Sequence, residues 1–254
     1  MSGTIAITMA GLGSRFTKAG YDRPKYEIDA LGMPLFDWSM LSLEAFREAE
    51  YAFSFAVRDG LGAEEYIRGR AQQLGMSVAN VLILDSVTDG QATTALLLAR
   101  DAPQDAPFAI YNIDTFVAPG AMLPPSPADC AGWIPCFPAP GEGWSFARTD
   151  ARGNVVELRE KKRISENATV GLYWFDSAAR YVAAYETYFS VAGREEKNER
   201  YVAPIYNQLI EEEAAVRIET LRLEDVGMLG TPEQVAAFIA APSKAALRCL
   251  ETQT

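Results

Sequence analysis

The first apolar run, Thr4-Ile5-Ala6-Ile7-Thr8-Met9, is short and β-branched and leads into glycines, the pattern of a buried strand that ends in a turn. Beyond it the spacing of apolar positions alternates between two periods. Residues 35–49 read as a helix and 51–57 as a strand. Residues 62–74 read as a helix, 81–84 as a short strand, and 91–100 as a helix by composition. A further strand over 108–113 ends at Asp114. Alternation of this kind predicts an α/β protein, with a mainly parallel central sheet and helices on both faces. Ligands of such sheets bind at the carboxyl ends of the strands, where both the first glycines and Asp114 fall.

The texture changes near Pro119. Residues 119–143 are rich in Pro and Gly and read as a long irregular connection. Residues 144–148 and 155–159 flank Asp150-Ala151-Arg152-Gly153, a hairpin signal. Residues 168–175 read as a strand, 177–190 and 202–213 as helices, 216–221 as a strand, and 232–239 as a helix. The expectation is one domain over 1–254: a parallel half at about 1–118, and a second half at 119–254 whose strands return over it.

Composition narrows the chemistry. The chain has 254 residues, 49% hydrophobic and 22% charged, as a soluble globular protein has. No apolar run approaches the roughly 20 residues that span a membrane. No basic region precedes the first apolar stretch, so no signal peptide is read. The net charge of -11 argues against a broad nucleic-acid surface. The dense basic run is Arg159-Glu160-Lys161-Lys162-Arg163. Cys130, Cys136 and Cys249 lack metal-ligand spacing and read as reduced thiols of a cytoplasmic protein. There is no histidine, which excludes Ser-His-Asp and Cys-His catalysis and His-rich zinc sites. Phosphoryl-type transfer suits what is left, because it rests on positioning and on cations.

The glycine turn carries that chemistry. Residues 10–16 read Ala-Gly-Leu-Gly-Ser-Arg-Phe, followed by Pro24-Lys25. A P-loop needs Lys and then Ser or Thr directly after its last glycine, whereas Gly13 is followed by Ser14-Arg15. The dinucleotide fingerprint needs a third glycine where Phe16 stands. Backbone N–H groups in such a turn attract anions, and Arg15 and Lys25 add fixed positive charge. Glycine loop, Arg and Lys together suggest a triphosphate. The plain alternative is a tight βα turn with no ligand.

Further motifs follow in a fixed order: T-D-G-Q-A-T-T at 88–94, N-I-D-T-F at 112–116, Glu160-Lys161, A-T-V-G-L-Y-W-F at 168–175, Y-V-A-P-I-Y-N at 201–207 and G-T-P-E at 230–233. Together they resemble the sugar-1-phosphate nucleotidyltransferases, or nucleotide-sugar pyrophosphorylases, over residues 4–240. The resemblance implies a glycosyltransferase-A-like fold with a smaller antiparallel sheet on the substrate side. The first half would bind the nucleotide and the second the acceptor. The implied reaction joins an NTP and a sugar 1-phosphate, or a similar phosphorylated small molecule, to give an NDP-sugar and pyrophosphate. Ala10, Gly11, Leu12, Gly13 and Ser14 would wrap the triphosphate, with Arg15 on its β- and γ-phosphates. Lys25 would sit near the α-phosphate, and Gly90 and Gln91 near the base. Asp114 would hold Mg²⁺. Glu160 would accept from sugar hydroxyls, Lys161 would meet the acceptor phosphate, and Thr169 and Gly171 would line the sugar side.

One departure from the family pattern concerns the metal. Family members of the best-known kind have an acidic metal ligand two residues before the late Gly-Thr pair. Here that pair is Gly230-Thr231 and the position holds Met228, a poor magnesium ligand. Either Asp225 supplies the second carboxylate from a rearranged loop, or Asp114 acts alone with water, or catalysis is lost. Bland readings stand beside the others: Asp114 as a turn residue, Gln91 as the start of a helix, Glu160-Lys161 as an exposed ion pair, and Trp133, Trp144 and Trp174 as core. Two other functions compete. One is a glycosyltransferase of the same fold, which would normally want an acid where Asn112 stands. The other is a non-catalytic nucleotide-sugar-binding or regulatory protein. The partners expected are an NTP and a phosphorylated small molecule, with no nucleic acid and no membrane. Base, sugar and oligomeric state, a homo-oligomer included, stay open. No hexapeptide-repeat domain is read after the G-T-P-E helix.

Overall fold

The computed structural model describes residues 3–58 and 62–252. The strand β1 (Thr4–Thr8) leads through the glycine loop into the single-turn helix α1 (Ser14–Lys18). A small antiparallel pair follows, β2 (Asp29–Ala30) and β3 (Met33–Pro34). The first half continues as α2 (Leu35–Leu41), α3 (Glu44–Glu48), β4 (Ala52–Arg58), α4 (Ala63–Gln73), β5 (Ser77–Leu84), α5 (Gln91–Asp101), β6 (Phe108–Asn112) and β7 (Thr115–Val117). The second half contains β8 (Gly132–Pro138), β9 (Ser145–Thr149), β10 (Val155–Glu160), β11 (Asn167–Thr169) and β12 (Leu172–Phe175). It ends with α6 (Ala178–Phe189), α7 (Tyr206–Glu211), β13 (Val216–Thr220), β14 (Val226–Met228), α8 (Pro232–Ala240) and α9 (Lys244–Thr252).

A ten-stranded sheet runs in the order β10-β9-β11-β8-β12-β6-β1-β4-β5, with β13 also paired to β8. The neighbours β6, β1, β4 and β5 are parallel, and β12 joins β6 antiparallel. The α/β expectation therefore holds, with an antiparallel extension on the second half's side. Alternation along β1 fills both faces: Ile5 and Ile7 enter one core with Phe53 and Phe55, while Ala6 enters the other with Phe108 and Ile110. Thr8 lies level with Ala56 and Asn112, so the glycine loop and the turn before β7 leave the sheet at the same carboxyl edge.

Four expectations are corrected. Residues 35–49 form two helices: Leu43 N turns back to Met40 O at 3.0 Å, and the first helix is closed by Ser42. Its hydroxyl donates to Trp38 O at 3.2 Å and accepts from Val117 N at 2.8 Å, which pins the break to β7. The irregular stretch 119–143 contains β8, a buried strand at the heart of the second half. Its Pro135 falls between the segment that pairs with β12, Gly132 and Trp133, and the segment that pairs with β11, Cys136 to Pro138. A missing N–H is tolerated there because the ladder changes partner at that point. Residues 168–175 form two strands, broken at Gly171 with φ 87; a Cβ there would lie 2.6 Å from Asn112 Nδ2. Residues 202–213 divide into a 3₁₀ turn, Ala203–Ile205, and α7. The helix α9 follows the last segment that the periodicity marks. No helix among the described residues is long and apolar enough to cross a membrane.

Candidate active site

At the carboxyl edge the glycine loop is open to solvent, with Leu12 60% exposed, while Ala10 is buried under it. No backbone carbonyl among the described residues accepts from the amides of Gly11, Leu12 or Gly13. Gly13 caps α1 with φ 60 and ψ 21, and Ser14 opens the helix. Phe16 is buried and anchors the loop, and Tyr21 packs edge-on to its ring. Arg15 stays exposed. The result is a turn of unpaired donors with a cation at its rim.

Lys25 rises beneath this turn from a 3₁₀ turn, Lys25–Glu27. Its Nζ lies 3.6 Å from Asp114 Oδ2 and 5.7 Å from the centre of the Phe16 ring. Burial holds the ammonium below the usual lysine range; the Asp114 carboxylate opposes that shift and the charge of Arg15 adds to it. Asp114 is fixed from the other side: Leu229 N donates to its carbonyl at 2.8 Å, next to the β7–β14 pair. Gly230 packs beside its carboxylate, and a Cβ there would lie 3.6 Å from Oδ2. Sequence and structure agree in bringing the glycine loop, Lys25 and Asp114 together.

Asp225 does not join them. The register pairs Met228 with Thr115, next to Asp114, whereas Asp225 precedes β14 at its far end. Three extended residues separate the two positions, about 10 Å along a strand. Both Asp225 oxygens are held by Arg222, at 2.8 and 3.0 Å. The β7–β14 register sets Asp225 apart from Asp114, and its carboxylate is already paired with Arg222. Met228 itself lies 3.8 Å from Gln234 Nε2, and Gln234 Oε1 accepts from Gly230 N at 3.0 Å. Among the described residues, no group of three or more His, Cys, Asp or Glu side chains is set to hold a metal.

Gln91 starts α5 and bridges two strands. Its amide donates to Thr8 Oγ1 at 3.0 Å and to Asn112 Oδ1. Gly90, before it, has φ 148 and is pinched by residue 200. Arg200 N donates to Asp89 O at 2.8 Å, and Ala92 N donates to Arg200 O at 3.0 Å. A Cβ on Gly90 would lie 2.4 Å from Arg200 O, so only glycine fits.

The residues expected on the acceptor side form a separate cluster. Glu160 is 8% exposed and ends β10. Ser145 Oγ donates to its Oε2, Tyr173 OH lies 3.5 Å from Ser145 Oγ, and Thr169 Oγ1 shares a 2.9 Å hydrogen bond with Tyr173 OH. Thr169, Tyr173 and Ser145 are all buried. Burial raises the Glu160 carboxyl above its usual range; the Ser145 hydroxyl and the Lys161 ammonium oppose the shift. Lys161 Nζ stands 3.6 Å from Glu160 Oε1 and donates to Tyr201 OH at 2.5 Å. Gly171 continues from Thr169 to Asn112, so this cluster adjoins the Gln91 bridge. Tyr173 and Tyr201 stand inside motifs read from the sequence but were given no role there, and Ser145 lies outside those motifs. The folded chain brings the Ser145 hydroxyl to Glu160, the Tyr173 hydroxyl to Ser145 and Thr169, and the Tyr201 hydroxyl to Lys161.

The chain matches no family model and no curated protein. Solved structures do match it. The nucleoside-diphosphate-sugar pyrophosphorylase of Vibrio cholerae RC9 is 32% identical, with 93% of this chain and 100% of that chain covered and a TM-score of 0.86. The inositol-1-phosphate CTP transferase of T. maritima shares the fold at 13% identity, a TM-score of 0.72, and coverage of 94% of this chain and 97% of that one. A Bacillus anthracis protein named for glucose-1-phosphate thymidylyltransferase activity does so at 15% identity and a TM-score of 0.73, over 93% of this chain and 94% of that one. With nearly a third of its residues shared over the whole length of the Vibrio protein, the chain belongs to the nucleoside-diphosphate-sugar pyrophosphorylase family of sugar-phosphate nucleotidyltransferases.

Proposed function

We propose that this protein transfers a nucleoside monophosphate from an NTP to the phosphate of a sugar 1-phosphate, or of a similar phosphorylated small molecule, and releases pyrophosphate. The observation that carries the reading is the Lys25–Asp114 pair beneath a turn of unpaired amides at the carboxyl edge of a parallel sheet. Ala10, Gly11, Leu12, Gly13 and Ser14 wrap the triphosphate, and Arg15 reaches its outer phosphates. Lys25 meets the α-phosphate. Gly90 and Gln91 border the nucleotide, with the Gln91 amide protons spent on Thr8 and Asn112. Glu160 accepts from acceptor hydroxyls, and Lys161 holds the acceptor phosphate. Thr169 and Gly171 line the acceptor side.

The chemistry asks little of a proton carrier. A phosphate monoester is already an anion and needs no general base, which accords with a chain that has no histidine. The obstacle is repulsion between two anionic phosphates. Lys25 relieves it at the reacting phosphorus, and Arg15 stabilises the departing pyrophosphate. Partial desolvation strengthens the pull of Lys25, because its charge is screened less by water.

The donor set fits a magnesium ion held by one carboxylate. Asp114 offers one oxygen beside Lys25 and a second for the ion, and magnesium commonly takes one or two carboxylates with substrate phosphates and water completing its shell. Asp114 would hold the ion, and the chemistry it would supply is neutralisation of phosphate charge. The glycosyltransferase reading is less well supported, because Asn112, where it wants an acid, is an amide engaged with Gln91. The test is pyrophosphate release across four NTPs and a panel of sugar 1-phosphates. Release with one base and one acceptor class is expected, and release with no pair counts against the proposal.

A further inference from the structure

We infer that Tyr201 is a positioning residue for this reaction, fixing the Lys161 ammonium where the acceptor phosphate binds. The inference rests on the proposed role of Lys161. A lysine head on its four-carbon stem is mobile, and holding it in one place takes directed partners. Lys161 has three. Its Nζ donates to Tyr201 OH at 2.5 Å, lies 4.4 Å from the centre of the Tyr201 ring, and stands 3.6 Å from Glu160 Oε1. Its backbone adopts φ 50, a region that non-glycine residues rarely occupy, and Lys161 N donates to Trp144 O at 2.9 Å.

Tyr201 is itself oriented twice. Its hydroxyl donates to Glu199 Oε2, so its lone pairs are left to face Lys161. Its backbone follows directly on Arg200, which is bonded to Asp89 and Ala92 on the nucleotide side. The Arg200 side chain adds an ion pair to Asp89 at 3.2 Å and a hydrogen bond to Tyr185 OH at 2.9 Å. One short segment thus takes its position from the Gly90 turn and passes it to the lysine of the acceptor side. Glu160 alone would leave Lys161 free to swing, because one contact at 3.6 Å fixes no direction.

The test reads Lys161 directly. The full chain is acylated briefly with acetic anhydride and analysed by mass spectrometry, with exposed Lys244 as internal reference and inorganic phosphate as the probe. Phosphate is expected to slow Lys161 relative to Lys244. Tyr201→Phe keeps the ring and removes the hydroxyl. Lys161 should then react about fivefold faster, and equal protection should need about fivefold more phosphate. Glu199→Gln, at an exposed position, should move both readings the same way by less. An unchanged Lys161 rate in Tyr201→Phe overturns the positioning role. Absence of phosphate protection in the unsubstituted protein overturns instead the assignment of Lys161 to the acceptor phosphate, so the two failures are distinct. In pyrophosphate release, Tyr201→Phe should raise KM for the acceptor and leave kcat and the KM for NTP within about twofold. Equal losses in all three overturn the role and make Tyr201 structural.

Discussion

The two sides of the site are built on opposite plans. On the proposed nucleotide side the groups are few, separate and open: bare amides, exposed Arg15, and a single ion pair between Lys25 and Asp114. On the proposed acceptor side they are buried and already bonded to one another, from Thr169 through Tyr173 and Ser145 to Glu160. The first plan suits a ligand that brings several charges of its own. The second suits a ligand recognised by the placement of hydroxyls, since a carboxylate locked in a network offers its remaining lone pairs in fixed directions. Donors are left open where a triphosphate would bind, and polar groups are bonded to one another where acceptor hydroxyls would be read.

The comparison breaks most visibly at Lys25. Lys25→Ala should lower kcat/KM for pyrophosphate release about a hundredfold or more, with far-UV dichroism unchanged. Because burial lowers the Lys25 pKa, activity should fall on the alkaline side earlier than an ordinary lysine would allow. Asp114→Asn removes the charge that opposes this shift, so the alkaline limb should move to lower pH; a limb that stays put would separate it from Lys25.

Stability is the next largest effect. Gly90→Ala drives a Cβ into the Arg200 backbone and should cost about 1–3 kcal/mol in chemical denaturation. Activity on both substrate sides should fall with it, since residue 200 ties them together. Loss of nucleotide binding alone would show that the two plans are independent.

Glu160→Gln sharpens the other side. A carboxyl whose folded pKa is raised by burial favours its protonated form in the fold. Its contribution to stability is present below the ordinary value of 4.5 and is lost as pH rises through the folded value. The neutral amide should therefore stabilise the fold at about pH 7 and lose that advantage at about pH 4, in urea unfolding at the two pH values. Acceptor KM should rise meanwhile. The smallest effect is expected from Asp225→Asn, which should leave the magnesium requirement within about twofold, because Arg222 rather than a metal holds that carboxylate. A large rise in the magnesium needed would return Asp225 to the site.

The grouping of the glycine turn with Lys25 and Asp114 could be read from the chain because its parts are local. A strand, two glycines and an arginine lie within one short segment, and Asp114 closely follows a strand. Four residues of the acceptor side, Glu160, Lys161, Thr169 and Gly171, were found through motifs. Their partners were given no role, although Tyr173 and Tyr201 lie inside those motifs, because Ser145, Tyr173 and Tyr201 belong to separate segments that meet only in the folded chain. The strand β8 was hidden by its own composition, Gly-Trp-Ile-Pro-Cys-Phe-Pro, which reads as loop unless the change of partners at Pro135 is known. The single helix expected over 35–49 overlooked a serine whose hydrogen-bond partner, Val117, lies far along the chain.

The pairing of β14 with β7 has a consequence for the order in which the molecule takes shape. The strands β1, β4, β5 and β6 are complete once residue 112 has been made, and they pair among themselves. Asp114 follows at once, yet the amide that holds its carbonyl belongs to Leu229. A growing chain therefore exposes its glycine loop early and steadies its key carboxylate late, only when the last strand has left the ribosome and closed on β7.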